Sequence, residues 1–302
     1  MSRRLRQLLA ALAASLALCA PVAAAEPGVL VLGRISDDPA AHYDQLKPML
    51  DYVVERMADV GIREGRILMA RDARQMESYL RRGRVDWVTE TSAGAMALEA
   101  RAGANAILLT ERGGVGAYHT VFFARRDSGI ESLGDLHGRS LAFQNPSSTS
   151  AYYVPAMEMI ALDMPMEILL SPFDRAAEGS VGYLFARSEF NISSWVHKGL
   201  VDAGAFSNVD FQNMPESYRR DLVGFHASVD YPRALEVVRG DLDPAVAGRL
   251  RDVLANAAND PAASEALQRF FGTTRFLPVD AGTRRSLDAL RAGVARVAEV
   301  LE

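Results

Sequence analysis

Asn145-Pro146-Ser147-Ser148-Thr149-Ser150-Ala151 places consecutive hydroxyls between a short apolar run, Ser140 to Phe143, and a helical pattern from Tyr152 to Leu162. Strand, hydroxyl-rich turn and helix in that order make the layout of an anion cradle. Free backbone N–H groups and side-chain hydroxyls meet at a helix N-terminus, where the partial positive charge favours an oxyanion. No lysine or metal ligand lies inside the turn, which suits reversible capture better than chemistry on a phosphate. The plainer alternative is that Ser148, Thr149 or Ser150 only caps the helix.

Other reactive residue types do not assemble in the same way. The five histidines, His42, His119, His137, His197 and His226, lack the spacing of metal ligands. Neither a G-x-S-x-G elbow nor a Walker-type loop occurs. Asp86 and Asp202 each follow a glycine in a strand-start motif, a position that fixes a turn. Trp87 sits in an apolar strand and reads as core, while Trp195 could stack on a ligand ring. The expectation is a protein that is not an enzyme, with no catalytic residue, no cofactor and no metal.

The N-terminus has the form of a cleavable export signal: Arg3, Arg4 and Arg6, an apolar run from Leu8 to Ala20, Pro21, and Ala23-Ala24-Ala25 before Glu26. The run is short for a membrane span. A lipoprotein cut at Cys19 is disfavoured by bulky Leu18 before it. Cys19 is the only cysteine, so a chain cut after Ala25 has none, which excludes disulfides, thiolate metal sites and a cysteine nucleophile. Three arginines leave with the signal and no acid does, so formal charge moves from −5 to −8. The lack of a dense basic cluster argues against nucleic acid and anionic membrane surfaces as partners.

Elements that could position the hydroxyl turn follow from periodicity. Val29 to Leu32, Arg66 to Ala70, Val85 to Thr89 and Ile107 to Thr110 read as strands. Helical spacing over Tyr43 to Val60, Gln75 to Arg82 and Ser92 to Arg101 alternates with them, as in an open, mostly parallel sheet. Thr120 to Ala124 breaks the rhythm, being a strand without an immediate helix. A second unit then carries strands at Leu141–Phe143, Ile168–Leu170, Gly182–Ala186, Asp202–Phe206 and Leu222–Ala227. The chain beyond Tyr231-Pro232 reads mainly as helix. The economical architecture is α/β with two lobes, each a mostly parallel sheet flanked by helices, joined by two crossing segments that act as a hinge. Lobe one is expected over 26–119 and 229–302, and lobe two over 120–228.

Several motifs, in order along nearly the whole chain, then resemble a known family. They are Gly83-Arg84-Val85-Asp86, Ser132-Leu133-Gly134-Asp135-Leu136-His137-Gly138-Arg139-Ser140-Leu141-Ala142-Phe143 with the Ser-Thr-Ser turn, Lys198-Gly199-Leu200-Val201-Asp202-Ala203-Gly204-Ala205, and Pro278-Val279-Asp280. This set resembles the phosphate/phosphite/phosphonate-type periplasmic solute-binding proteins of ABC transporters. The resemblance implies a type II periplasmic binding fold without catalytic activity. It places Ser148, Thr149 and Ser150 on the oxyanion-binding turn and Tyr118 on a ligand-contacting aromatic, with a core or hinge tyrosine as the alternative. Tyr43 matches a ligand-facing position loosely, and a packing role is the alternative there.

Two glutamates depart from the family pattern. Glu189 stands where relatives often carry a histidine, and Glu90 lies in a loop that is usually small and neutral. Facing a dianionic phosphate, either would repel it. The ligand is then expected to carry a positive group or a protonated oxygen, unless both side chains point away. Thr91 before the helix at Ser92, and Ser188 or Asn191 before the helix after Ala186, could bring N–H groups to the cleft from both lobes or could simply cap. The expected partners are a small-molecule oxyanion or zwitterion and an inner-membrane ABC permease, with a monomer in the periplasm. The alternative is a ligand sensor that reports to a membrane histidine kinase.

Overall fold

The computed structural model describes residues 27–36 and 38–301. The export signal and its cleavage site lie outside the described residues. The first half-lobe runs β1 (Val29–Ile35), α1 (Pro39–Val54), β2 (Glu64–Ala70), α2 (Ala73–Arg81), β3 (Trp87–Thr91), α3 (Ser92–Ala102) and β4 (Asn105–Arg112). After a short crossing strand, β5 (Ala117–Tyr118), the chain enters the second sheet with β6 (Thr120–Arg125) and β7 (Ser140–Phe143). It continues through a π-type turn (Thr149–Tyr153), α4 (Val154–Ala161), β8 (Met166–Ile168), β9 (Val181–Phe185), α5 (Glu189–His197) and β10 (Ala203–Ser207). Short helices α6 (Asn208–Asn213) and α7 (Glu216–Asp221) lead to β11 (Leu222–Ala227). The return crossing is β12 (Tyr231–Pro232), followed by β13 (Ala234–Val238), α8 (Pro244–Asn256), α9 (Ser264–Arg269), β14 (Thr273–Leu277) and α10 (Ala281–Leu301).

Two six-stranded sheets result, ordered β14-β4-β13-β3-β1-β2 and β11-β6-β10-β7-β9-β8. In the first, β1 pairs parallel with β2 and β3, and β13 returns antiparallel between β3 and β4. In the second, β7 pairs parallel with β9 and β10, and β6 lies antiparallel between β10 and β11. This is the expected two-lobed α/β architecture. The two crossings pair with each other, Tyr231 opposite Tyr118, with the rings edge to face at 4.8 Å. Thr120 Oγ1 and the Tyr231 hydroxyl, 2.7 Å apart, tie the same junction.

Burial follows the strand pattern. Leu30, Leu32 and Trp87 are fully buried on one side of the first sheet, where Leu46, Leu50 and Phe270 meet them. Trp87 is core, as its apolar strand predicts, and its indole N–H donates to the buried carboxylate of Glu236 at 2.6 Å. Asp86 does more than fix a turn. Its Oδ2 accepts the Val31 N–H at 2.8 Å, and its Oδ1 accepts from Arg239 Nε at 2.8 Å, so it bolts β3 to β1. Asp202 accepts the Ser140 N–H at 2.9 Å in the second sheet.

Local expectations differ from the structure at two points. The region after Tyr231 contains two strands, and one of them, β13, is buried at every residue near the middle of its sheet. Strand β8 ends at Ile168, two residues before the expected limit. Leu170 instead lies in an exposed turn whose N–H is accepted by Asp174 at 3.0 Å. The helix after the hydroxyl turn is irregular at Ala151 (φ −116°, ψ 19°), while Pro155 occupies the first turn of α4, where a missing N–H costs nothing.

Helix α10 packs along α3 of the first lobe and α4 of the second. At the second contact Gly293 leaves no room for a Cβ because the Met157 thioether lies over it. Among the described residues no helix is long and apolar enough to cross a membrane.

Candidate ligand-binding site

Parallel strands deliver their C-terminal ends, and the helices that follow them deliver their N-termini, to one edge of each sheet, where ligands of open α/β folds sit. At this edge of the first sheet β1 supplies Arg34, β3 supplies Thr89, Glu90 and Thr91, and β4 supplies Arg112. Glu90 is 3 % exposed; its Oε1 accepts the Thr91 N–H at 2.7 Å and lies 3.3 Å from Arg34 Nη1. Gly94 on α3 makes room for it, since a Cβ there would stand 2.7 Å from Glu90 Cγ.

Arg34 Nη1 donates to the Thr89 carbonyl at 2.8 Å, and Arg112 Nη2 to Thr89 Oγ1 at 3.3 Å. Both guanidinium groups stand on the Phe271 ring, 5.1 and 4.5 Å from its centroid, a cation–π arrangement. Phe271 holds a left-handed φ of +56°, which bulky residues rarely adopt. Burial, then the neighbouring charge of Arg34, pushes the Arg112 guanidinium down to about 10. The Nε atoms of Arg34 and Arg112 are both buried without a hydrogen-bond partner among the described residues. Beneath them Glu236 accepts from Thr89 and Thr110 hydroxyls at 2.8 and 2.6 Å, and burial raises its carboxyl above the usual range.

The second lobe presents the hydroxyl turn. Ser148 caps it, Oγ accepting the Ala151 N–H at 3.2 Å. Thr149 Oγ1 accepts the Ala93 N–H at 2.9 Å, a bond that crosses from the second lobe to the first turn of α3. The neighbouring Ser92 Oγ is fully buried and has no partner among the described residues. The Ser150 carbonyl accepts from Thr120 Oγ1 at 2.9 Å. Tyr118 joins the two edges. Burial pushes its hydroxyl up to about 12, while Arg112 and Arg233 and hydrogen bonds with Ser150 and Thr149 pull the other way. The Arg233 guanidinium stands 5.8 Å from the Tyr118 ring.

Thus Ser148, Thr149, Ser150, Tyr118, Glu90 and Thr91 come together. Thr91 is the N-cap residue of α3, and its Oγ1 is 3.3 Å from Glu90 Oε1. Ser188 caps α5 by accepting the Asn191 N–H at 3.1 Å, and Asn191 Nδ2 turns back to the Ala186 carbonyl at 2.7 Å. Glu189 accepts from Gln144 Nε2 at 2.6 Å, and the Gln144 N–H reaches the Ala151 carbonyl at 3.0 Å, so Glu189 borders the turn. Tyr43 stands 45 % exposed on α1, and no hydrogen bond or ring contact brings it to the cluster among the described residues. Sequence reasoning passed over Arg34, Arg112, Arg233 and Phe271. The signal available was their place next to strand ends.

Residues 33–283 match the sequence profile of the ABC transporter, phosphonate, periplasmic substrate-binding proteins. The chain is 56 % identical to XAC2383 from Xanthomonas citri in a chloride-bound structure, with a TM-score of 0.88 over 90 % of this chain and 99 % of that one. An ATP-bound structure of XAC2383 matches at 55 % identity and a TM-score of 0.88, covering 91 % of this chain and 100 % of that one. PhnD1 from Prochlorococcus marinus, in complex with methylphosphonate, shares the fold at 15 % identity and a TM-score of 0.67, covering 91 % of this chain and 100 % of that one. The length of the profile match and the identity to the Xanthomonas protein, on a fold of two lobes meeting at Tyr118, establish that this chain belongs to the periplasmic substrate-binding proteins of phosphonate ABC transporters.

Proposed function

We propose that the protein captures a small oxyanion in the cleft between its lobes and hands it to an inner-membrane ABC permease, after export and removal of the segment ending at Ala25. The observation that carries this reading is the meeting of the two edges: Thr149 of the hydroxyl turn accepts the Ala93 N–H of the first lobe, on whose edge the Nε atoms of Arg34 and Arg112 are buried without a partner among the described residues. A desolvated guanidinium with an unpartnered Nε is costly alone and is stabilised by an anion that accepts from it. Glu90 does not oppose such a ligand as a bare charge, because Arg34 neutralises it. The ligands of the relatives, chloride and ATP in Xanthomonas citri XAC2383 and methylphosphonate in Prochlorococcus marinus PhnD1, are all anions, and methylphosphonate among them is a small oxyanion.

Thermal shift tests it with phosphate, phosphite, methylphosphonate, ATP and choline, since a ligand bound to the native state raises the melting temperature by mass action. At least one of the four anions is expected to raise it, with calorimetry giving the affinity. A shift with choline and with none of the anions overturns the reading. Mass spectrometry of periplasmic material is expected to find the mature N-terminus at Glu26.

A further inference from the structure

We propose that Phe271 is the positioning residue of this site: its ring carries the Arg34 and Arg112 guanidinium groups together and keeps their Nε edges turned to the anion. This rests on the oxyanion reading above and identifies what holds its two cations in place.

The first observation is a backbone outlier. Phe271 follows α9 with φ +56°, beside Gly272 at φ +63°. Helices commonly end in that left-handed conformation, usually on glycine and sometimes on asparagine. Asp163 and Arg187 are the other non-glycine residues with positive φ among the described residues, so Phe271 is the one aromatic held this way. A strained bulky residue persists where its surroundings fix it, and such outliers collect at ligand sites. The surroundings here are β4: the Gly113 N–H reaches the Gly272 carbonyl at 2.8 Å, and Thr273 lies opposite Arg112 in the β14–β4 ladder. The turn that carries the ring is thus fixed to the strand that carries Arg112.

The second observation is what the ring supports. Arg34 and Arg112 repel one another, the charge of Arg34 standing next after burial among the causes that depress Arg112. Both guanidinium groups nonetheless share the Phe271 ring, at 5.1 and 4.5 Å from its centroid. A carboxylate in that place would occupy their N–H groups and compete with an incoming anion. An aromatic face stabilises a cation through its quadrupole and leaves the donors in the guanidinium plane unused. Glu90 already reaches Arg34 on Nη1, whereas the Nε of each arginine has no partner among the described residues. Packing alone does not call for this ring. Phe270, with φ −73°, is fully buried and supplies the core below, while Phe271 is half-buried.

Calorimetry with phosphate, phosphite, methylphosphonate and ATP tests this on wild type, Phe271→Leu, Phe271→Gly and Phe271→Tyr. Leucine keeps the apolar bulk and loses the aromatic face, so Phe271→Leu is expected to weaken the anion that wild type binds best by about fivefold or more. Phe271→Tyr, which restores the face, is expected to recover that affinity to within about threefold of wild type. Melting curves check that the variants fold. Phe271→Gly, whose backbone accepts the left-handed turn, is expected to show the same loss and decides the matter if Phe271→Leu does not fold. Wild-type affinity in Phe271→Leu overturns the positioning role, and so does a Phe271→Tyr variant as weak as Phe271→Leu. Binding of none of the four anions by wild type overturns the oxyanion reading and this role with it; the role fails alone only where wild type binds.

Discussion

The two edges of the cleft present their hydrogen-bond donors by opposite means. On the first lobe the groups are charged and buried: Arg34 against Glu90, Arg112 above Glu236, both cations on Phe271. On the second lobe they are neutral: hydroxyls and N–H groups of one turn, with Ser148 capping it and Thr149 already bonded to Ala93. Neutral donors are satisfied by their neighbours and need little compensation. Charged ones must be balanced at once, which explains why acids accompany every buried arginine there and why Arg112 is still pushed down to about 10. Charge on one side and dipoles on the other give strength and shape from different surfaces.

The contrast is open to experiment, beginning with the largest effect. Asp86 and Asp202 brace corresponding strands of the two sheets, but the Asp86 side chain is 3 % exposed beside Arg239 and Asp202 is 30 % exposed beside Arg139. Asp86→Ala leaves the Val31 N–H without its acceptor and Arg239 with only Asp241, and is expected to cost about 3 kcal/mol in urea unfolding. Asp202→Ala is expected to cost about 1 kcal/mol. Equal losses would show that the first lobe depends no more on buried charge than the second.

Next comes the neutral edge. Ser150→Ala is expected to weaken the best-bound anion by about 1.5–3 kcal/mol, tenfold or more, with the melting temperature of the protein alone nearly unchanged. Undiminished affinity would remove the hydroxyl turn from the site.

A third variant acts through volume. Gly94→Ala pushes a methyl against Glu90 Cγ and should lower stability by about 1–3 kcal/mol while loosening the Glu90–Arg34 pair. A melting temperature equal to that of wild type would mean that Glu90 has another place to go.

The smallest effect is in pH. Arg112 carries its charge below about 10 and loses it above, so anion affinity should hold through neutral pH and fall from about pH 10 upward. The bound anion moves that limit higher. Arg112→Lys, with a shorter and differently solvated cation, should move the onset, and an unmoved onset would assign the titration to another group.

Local grammar made half of this legible. Strand, hydroxyl turn and helix are adjacent in the chain, and the interruption at Thr120 is a change of period, so the turn and the crossing could be read in order. The charged edge could not. An arginine ending a strand looks the same in sequence whether it faces water or a cleft, and Arg34, Arg112 and Phe271 meet only once segments far apart in the chain have folded together. Glu90 was visible, but its partner, 56 positions away, was not, so a paired carboxylate read as a repelling one. Strand β13 escaped because Pro232 and Arg233 precede it, and a five-residue buried run has no period to declare itself. Ser188 and Asn191 carried two meanings, and their hydrogen bonds are those of a cap.

Helix α10 touches both lobes, and there the bare backbone of Gly293 meets the Met157 thioether. Any rotation of one lobe against the other would have to pass along this helix, and a soft, unbranched side chain over glycine interlocks less than a branched one would. A side chain at position 293 would wedge the C-terminal helix away from Met157, at a contact that lies apart from the cluster of Tyr118, Arg34 and the hydroxyl turn.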